Sequence, residues 1–120
     1  MKIYLSLLNV FSLVVAMSGC AQTREPLFVT GGVQVHYRCE FNRPITARYY
    51  SVSDRSLEFV KLILENGQEY TLPKIAVPLG ERYTANRELA WGSTDGKMRF
   101  LEKRDENGQW SILYKSCYPL

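Results

Sequence analysis

Leu57-Glu58-Phe59-Val60-Lys61-Leu62-Ile63-Leu64-Glu65-Asn66-Gly67-Gln68-Glu69-Tyr70-Thr71-Leu72 is the stretch on which the fold turns. Apolar residues crowd Leu57–Leu64, and periodicity alone leaves that run open between strand and helix. Two features decide for strand. The run is rich in β-branched and aromatic side chains, which suit a pleated surface. It then meets Asn66-Gly67, the pair that most readily takes the positive φ angles of a two-residue hairpin turn. Tyr70-Thr71-Leu72 is the return strand.

Outward from this hairpin the same grammar repeats. Upstream, Val33-Gln34-Val35-His36-Tyr37 and Ile45-Thr46-Ala47-Arg48-Tyr49 alternate apolar and polar residues, as half-buried strands do. Downstream, Pro73 and Pro78 bracket a loop-like passage. Tyr83-Thr84, Leu89-Ala90-Trp91 and Met98-Arg99-Phe100 are short strand candidates. Asn107-Gly108 is a second hairpin signal, followed by Trp110-Ser111-Ile112-Leu113-Tyr114. No segment shows a capped helical stripe. Seven or eight short strands with regular turns predict an all-β domain, a sandwich or a small closed antiparallel barrel. The barrel has the advantage of leaving no unpaired edge.

The first twenty residues have a different character. Met1-Lys2 is a short positive start, and Ile3–Met17 is mostly apolar but too short for a comfortable bilayer span. The run fits the apolar region of an export signal. Met17-Ser18-Gly19-Cys20 resembles a lipobox, the cleavage signal of bacterial lipoproteins, in which the Cys receives lipid and becomes the new N-terminus. More than one acyl chain on Cys20 would anchor the protein stably, at about 0.8 kcal/mol per buried methylene. The other reading is an ordinary signal cut near Ala21. Ala21, rather than Asp, follows the Cys, which by resemblance to lipoprotein sorting directs the protein to the outer membrane, facing the periplasm. The expected organisation is a signal over 1–19, a lipidated Cys and tether over 20–32, and one domain over 33–120.

Three cysteines are an odd count for an exported chain. Lipidation of Cys20 explains one and leaves Cys39 and Cys117, which an oxidising compartment would let bridge. Two separate buried thiols are the alternative.

Reactive chemistry is sparse. The single His, His36, lies in a strand pattern and reads as a wall residue. No spacing of His, Cys or carboxylates suggests a metal site, no glycine-rich phosphate loop occurs, and no carboxylate pair stands out for glycoside cleavage. The net charge of +3 is modest, and Lys103-Arg104 is followed at once by Asp105-Glu106, the pattern of a solvated turn rather than a nucleic-acid contact. Neither cofactor, metal nor nucleic acid is expected, and a binding protein is expected rather than an enzyme.

Several short motifs occur in order: Tyr37-Arg38-Cys39, Gly80-Glu81-Arg82-Tyr83, then Trp91, with Cys117 near the end. Together with the lipobox, this pattern resembles the membrane-bound inhibitors of C-type lysozyme, over roughly residues 35–118. The resemblance implies a small antiparallel β-barrel tied by a disulfide between its first and last strands. It also implies a C-type lysozyme as partner, with the inhibitor plugging the cleft of the enzyme. The family pattern is approximately Ser-Gly-x-Lys/Arg-Tyr followed by Trp-x-Lys-Gly, its Ser and second Lys reaching the two catalytic carboxylates. Gly80, Arg82, Tyr83 and Trp91 match it. Leu79 stands in place of the Ser, Ser93 in place of the Lys and Thr94 in place of the Gly. Lys97 lies four residues beyond Ser93, where a longer loop could bring it to the same place.

Leu79, Gly80, Arg82, Tyr83, Trp91, Ser93 and Lys97 are thus the candidate partner-binding residues. Each has a plainer role as well: Trp91 and Tyr83 as barrel filling, Gly80 as a positive-φ turn, Arg82 as a solvated cation. An envelope lipoprotein that keeps the barrel but serves as an interaction or structural module is the competing function.

Overall fold

The computed structural model describes residues 26–85 and 88–120. The export signal, the lipobox and Cys20 lie outside the described residues. Eight strands run in chain order: β1 Val29–Cys39, β2 Arg43–Val52, β3 Glu58–Ile63, β4 Glu69–Ile75, β5 Glu81–Ala85, β6 Leu89–Ser93, β7 Arg99–Arg104 and β8 Trp110–Pro119. Each pairs antiparallel with the next, and β8 returns to β1, so the sheet closes into a barrel. Each expected strand segment corresponds to one observed strand.

The hairpin that opened the reading is present, with Phe59–Ile63 paired to Glu69–Pro73 across the Asn66-Gly67 turn. Within the turn Gly67 alone takes positive φ, +83°; Leu64 N–H bonds to Gln68 O and Gly67 N–H to Leu64 O, so the hairpin closes through the three residues 65–67, with glycine at the left-handed position, rather than through a two-residue turn. At Asn107-Gly108 the Asp105 carboxylate accepts the N–H groups of Asn107 and Gln109 at 2.8 Å each.

Two boundaries differ from the sequence reading. β4 continues through Pro73 instead of breaking there. Pro73 is the last residue paired with β3, and Lys74 and Ile75 are the two paired with β5. A residue without an N–H is tolerated at such a change of partner. β1 begins at Val29 rather than Val33, because Gly31 and Gly32 form a bulge against β2 at φ +103° and +85°. A Cβ on Gly31 would sit 2.7 Å from the Tyr49 carbonyl oxygen, which only glycine avoids.

Period-two alternation sends Tyr37, Cys39, Ile45, Ala47, Val60, Leu62, Leu72, Tyr83, Trp91, Leu101, Tyr114 and Cys117 into one core. Trp91 is fully enclosed at its centre, edge-on to Tyr37 with ring centroids 5.1 Å apart. Its indole N–H donates to the Tyr49 hydroxyl at 3.0 Å, and Tyr49 and Tyr37 share a hydroxyl–hydroxyl bond of 2.8 Å. The polar tips of three core aromatics thereby satisfy one another.

The seam between β8 and β1 has two paired positions, Tyr37 with Pro119 and Arg38 with Tyr118. Beside them the Cys39–Cys117 disulfide joins the first and last strands. His36 is exposed on the outer wall, bonded to Gln34 at 3.0 Å and Thr46 at 3.2 Å.

Candidate functional site

In an up-and-down barrel alternate connections share an end. The segments 76–80, between β4 and β5, and 94–98, between β6 and β7, therefore emerge together. Their stems are neighbours, because Glu81 at the head of β5 pairs with Ser93 at the end of β6.

Gly80 makes the contact between the loops. It has φ +75°, and a Cβ there would lie 1.8 Å from the Ser93 carbonyl oxygen and 2.7 Å from Thr94 Cα. Backbone rests on backbone with no room for a side chain. Gly80→Ala therefore drives the loops apart and strains the backbone by roughly 1–2 kcal/mol. Thermal unfolding should show a midpoint lowered by about 5–15 °C; an unchanged midpoint would show that the two loops do not depend on this contact.

The second loop is folded around its own polar groups. Ser93 is 2% exposed, and its Oγ accepts the Gly96 N–H at 2.7 Å. Asp95 Oδ1 accepts the N–H groups of Lys97 at 2.8 Å and Met98 at 3.0 Å, and the Ser93 hydroxyl at 3.3 Å. The backbone bonds from Lys97 and Met98 hold the Asp95 carboxyl below its ordinary range, so the turn keeps its charged acceptor under mildly acidic conditions. Lys97 is exposed and forms no ion pair among the described residues. Leu79, on the neighbouring loop, is 71% exposed.

The candidate residues thus separate into three groups. Leu79, Gly80 and Lys97 lie on the two adjoining loops, with Ser93 at the end of β6 where the second loop begins. Tyr83 and Trp91 are buried in the barrel and support those loops from below; burial pushes the Tyr83 phenol up from its ordinary pKa. Arg82 lies on the outer wall, its Nη1 donating to Glu102 Oε1 at 2.8 Å and its guanidinium 4.9 Å from the Trp110 ring centroid.

A further set of charges escaped the sequence reading. Glu81 bonds Arg99 through Oε1 and Lys74 through Oε2, the latter at 3.3 Å, and Lys74 also reaches Glu58 at 3.5 Å. Burial opposes the Glu81 charge, but the bond from Arg99 and the nearby Lys74 outweigh it and hold the carboxyl below its ordinary range. The available signal was parity: Arg99 stands two residues from Leu101 and so shares its face, a cation among core positions. Among the described residues no cluster of His, Cys, Asp and Glu is arranged to hold a metal ion.

No curated protein matches the sequence. The family described as membrane-bound lysozyme-inhibitor of c-type lysozyme (MliC) matches residues 37–110, more than half of the chain. That span runs from the β1 end of the seam to the first residue of β8 and includes both loops. It is a family of inhibitors rather than of enzymes. With its closed barrel and its paired loops inside the matched region, the chain belongs to the family of membrane-bound lysozyme inhibitors of c-type lysozyme.

Proposed function

We propose that this protein is an outer-membrane lipoprotein that inhibits a C-type lysozyme by laying its 76–80 and 94–98 loops into the active-site cleft. Residues 1–19 act as the export signal. Cys20 carries the lipid, 20–28 serve as the tether ahead of β1, and the barrel faces the periplasm. The observation that carries the reading is Lys97: an exposed cation without an ion-pair partner among the described residues, on a hydrogen-bonded turn beside the Leu79-Gly80 loop. Ser93, at the position of the family's inhibitory Lys, is buried and occupied in bonding its own loop. Lys97 follows Asp95-Gly96, four residues beyond Ser93 on the same loop.

A lysine presented without an internal partner can form charge-assisted bonds with catalytic carboxylates and exclude substrate. Leu79 contributes apolar contact where the family uses a hydroxyl. Gly80 permits the close approach of the two loops, and Arg82, Tyr83 and Trp91 hold the loops in place.

The test is a cell-lysis assay with hen-type lysozyme and the detergent-solubilised full chain. Inhibition is expected at micromolar protein or below. Lys97→Ala should raise the inhibition constant about tenfold or more, a loss of about 1.4 kcal/mol or more, with no change in the thermal midpoint. Lys103→Ala makes the same charge change near the opposite end of the barrel, where Lys103 pairs with Leu89, and should have no effect. Equal effects of the two substitutions would remove the loop assignment, and no inhibition at micromolar excess would remove the function for that enzyme.

One observation favours a second reading. Leu79 exposes an apolar side chain where the family pattern has a hydroxyl, as suits a different envelope partner. Indifference to lysozyme, with capture of an envelope component that Leu79→Ser abolishes, is the outcome that would select it.

A further inference from the structure

We infer that Arg99, through its partly buried pair with Glu81, is a positioning residue that sets the spacing of the two loops and thereby the strength of inhibition; this rests on the function proposed above. Arg99 begins β7, directly after the 94–98 loop, and Glu81 begins β5, directly after Leu79-Gly80. These strands are not neighbours, because β6 lies between them. The bond from Arg99 Nη2 to Glu81 Oε1 therefore ties the outgoing stems of the two loops to each other across β6, in addition to the ladder pairing of Glu81 with Ser93 on the incoming stem.

Stability alone does not account for an arginine here. The Arg99 side chain is 9% exposed, and its Nε and Nη1 are buried without an acceptor among the described residues. The face of the Tyr49 ring, its centroid 5.5 Å from Arg99 Cζ, compensates in part. Buried donors left unbonded are destabilising, and replacing a buried ion pair with apolar or neutral groups of similar volume is commonly neutral or stabilising. An arginine retained under those conditions fits a demand on geometry. Its planar guanidinium reaches Glu81 in a fixed direction, and Glu81 is fixed in turn by Lys74 from β4. Arg99, Glu81 and Lys74 thus connect the strands that enter and leave the 76–80 loop with the strand that leaves the 94–98 loop.

The test compares the full chain in detergent with Glu81→Gln, Arg99→Met and the double variant, which removes both charges and leaves neither partner unpaired. Three readouts apply: the thermal midpoint, amide hydrogen exchange in the free protein, and the inhibition constant. The double variant should unfold at or above the parent midpoint. Exchange at Gly96, Lys97 and Met98 should nonetheless be about tenfold faster than in the parent, while β2 and β3 are unchanged. The inhibition constant should rise about tenfold, equivalent to 1.4 kcal/mol. Parent-like loop exchange and parent-like inhibition in a folded double variant would overturn the inference. So would a lowered midpoint with exchange rising equally in β2, β3 and the loop, because the pair would then be holding the whole barrel. Exchange is read without lysozyme. A parent that fails to inhibit therefore defeats the functional reading, while the exchange result still decides whether the pair sets the loops.

Discussion

Replacing both Cys39 and Cys117 with alanine should lower the unfolding free energy by about 3–5 kcal/mol, corresponding to a thermal midpoint roughly 15–25 °C lower. The two residues are 78 positions apart, so the bond closes nearly the whole domain. In the chain-entropy model a loop of that length is worth about 4–5 kcal/mol, an upper figure. The local structure points the same way. The β1–β8 seam has two paired positions, supplemented by the Leu120 N–H bond to His36 O at 2.9 Å, whereas β1 and β2 pair along ten. Both sulfurs are in the core, at 4% and 0% exposure, and loss of the bond leaves a gap there as well as a looser seam. Denaturant unfolding of parent and variant, with and without reductant, measures the difference. A loss under about 1 kcal/mol would show that strand pairing alone closes the barrel.

Trp91→Ala is expected to destabilise by roughly 3–5 kcal/mol, the usual range for removing a buried aromatic side chain. Trp91 is the largest fully buried side chain, so its loss opens a cavity beside Tyr37 and Tyr49. It also leaves the buried Tyr49 hydroxyl without its indole donor. Trp91→Phe separates these effects. It keeps most of the packing and removes the N–H, so a loss nearer 1–2 kcal/mol is expected. Because Trp91 is two residues before Ser93, cavity formation should also loosen the 94–98 loop and weaken inhibition. Unfolding curves for both variants test the ordering; equal losses would assign most of the effect to the hydrogen bond.

The strand pattern was legible because its determinants are local. Alternation in Val33–Tyr37 and Ile45–Tyr49, and the two Asn-Gly turns, depend on a few consecutive residues. The disulfide followed from an odd cysteine count together with a lipobox-like setting expected to claim the third. What local reading missed depends on partners distant in sequence. Pro73 resembled a strand breaker, and only the change from β3 to β5 shows why it is tolerated. Gly31-Gly32 resembled a linker and proved to be a bulge shaped by Tyr49 and Tyr50. At the site, the pairing of the Gly80 and Trp91 segments was visible as a motif. The burial of Ser93 and the inward course of Arg99 were not, since each depends on contacts assembled only when the barrel closes.

A meander with an even number of strands starts and finishes at the same pole. Phe28, just before β1, bonds through its carbonyl to Ser53 in the β2–β3 connection, at the pole that also carries Lys97. With Cys20 as the anchor proposed above, the leash attaches on the inhibitor's working side. Fully extended, the stretch from Cys20 to Phe28 reaches roughly 25–30 Å, at about 3.3–3.6 Å per residue. That is comparable to the width of a small enzyme. In that arrangement a lysozyme bound there would fill the gap between barrel and lipid, and the membrane would form one wall of the space around it.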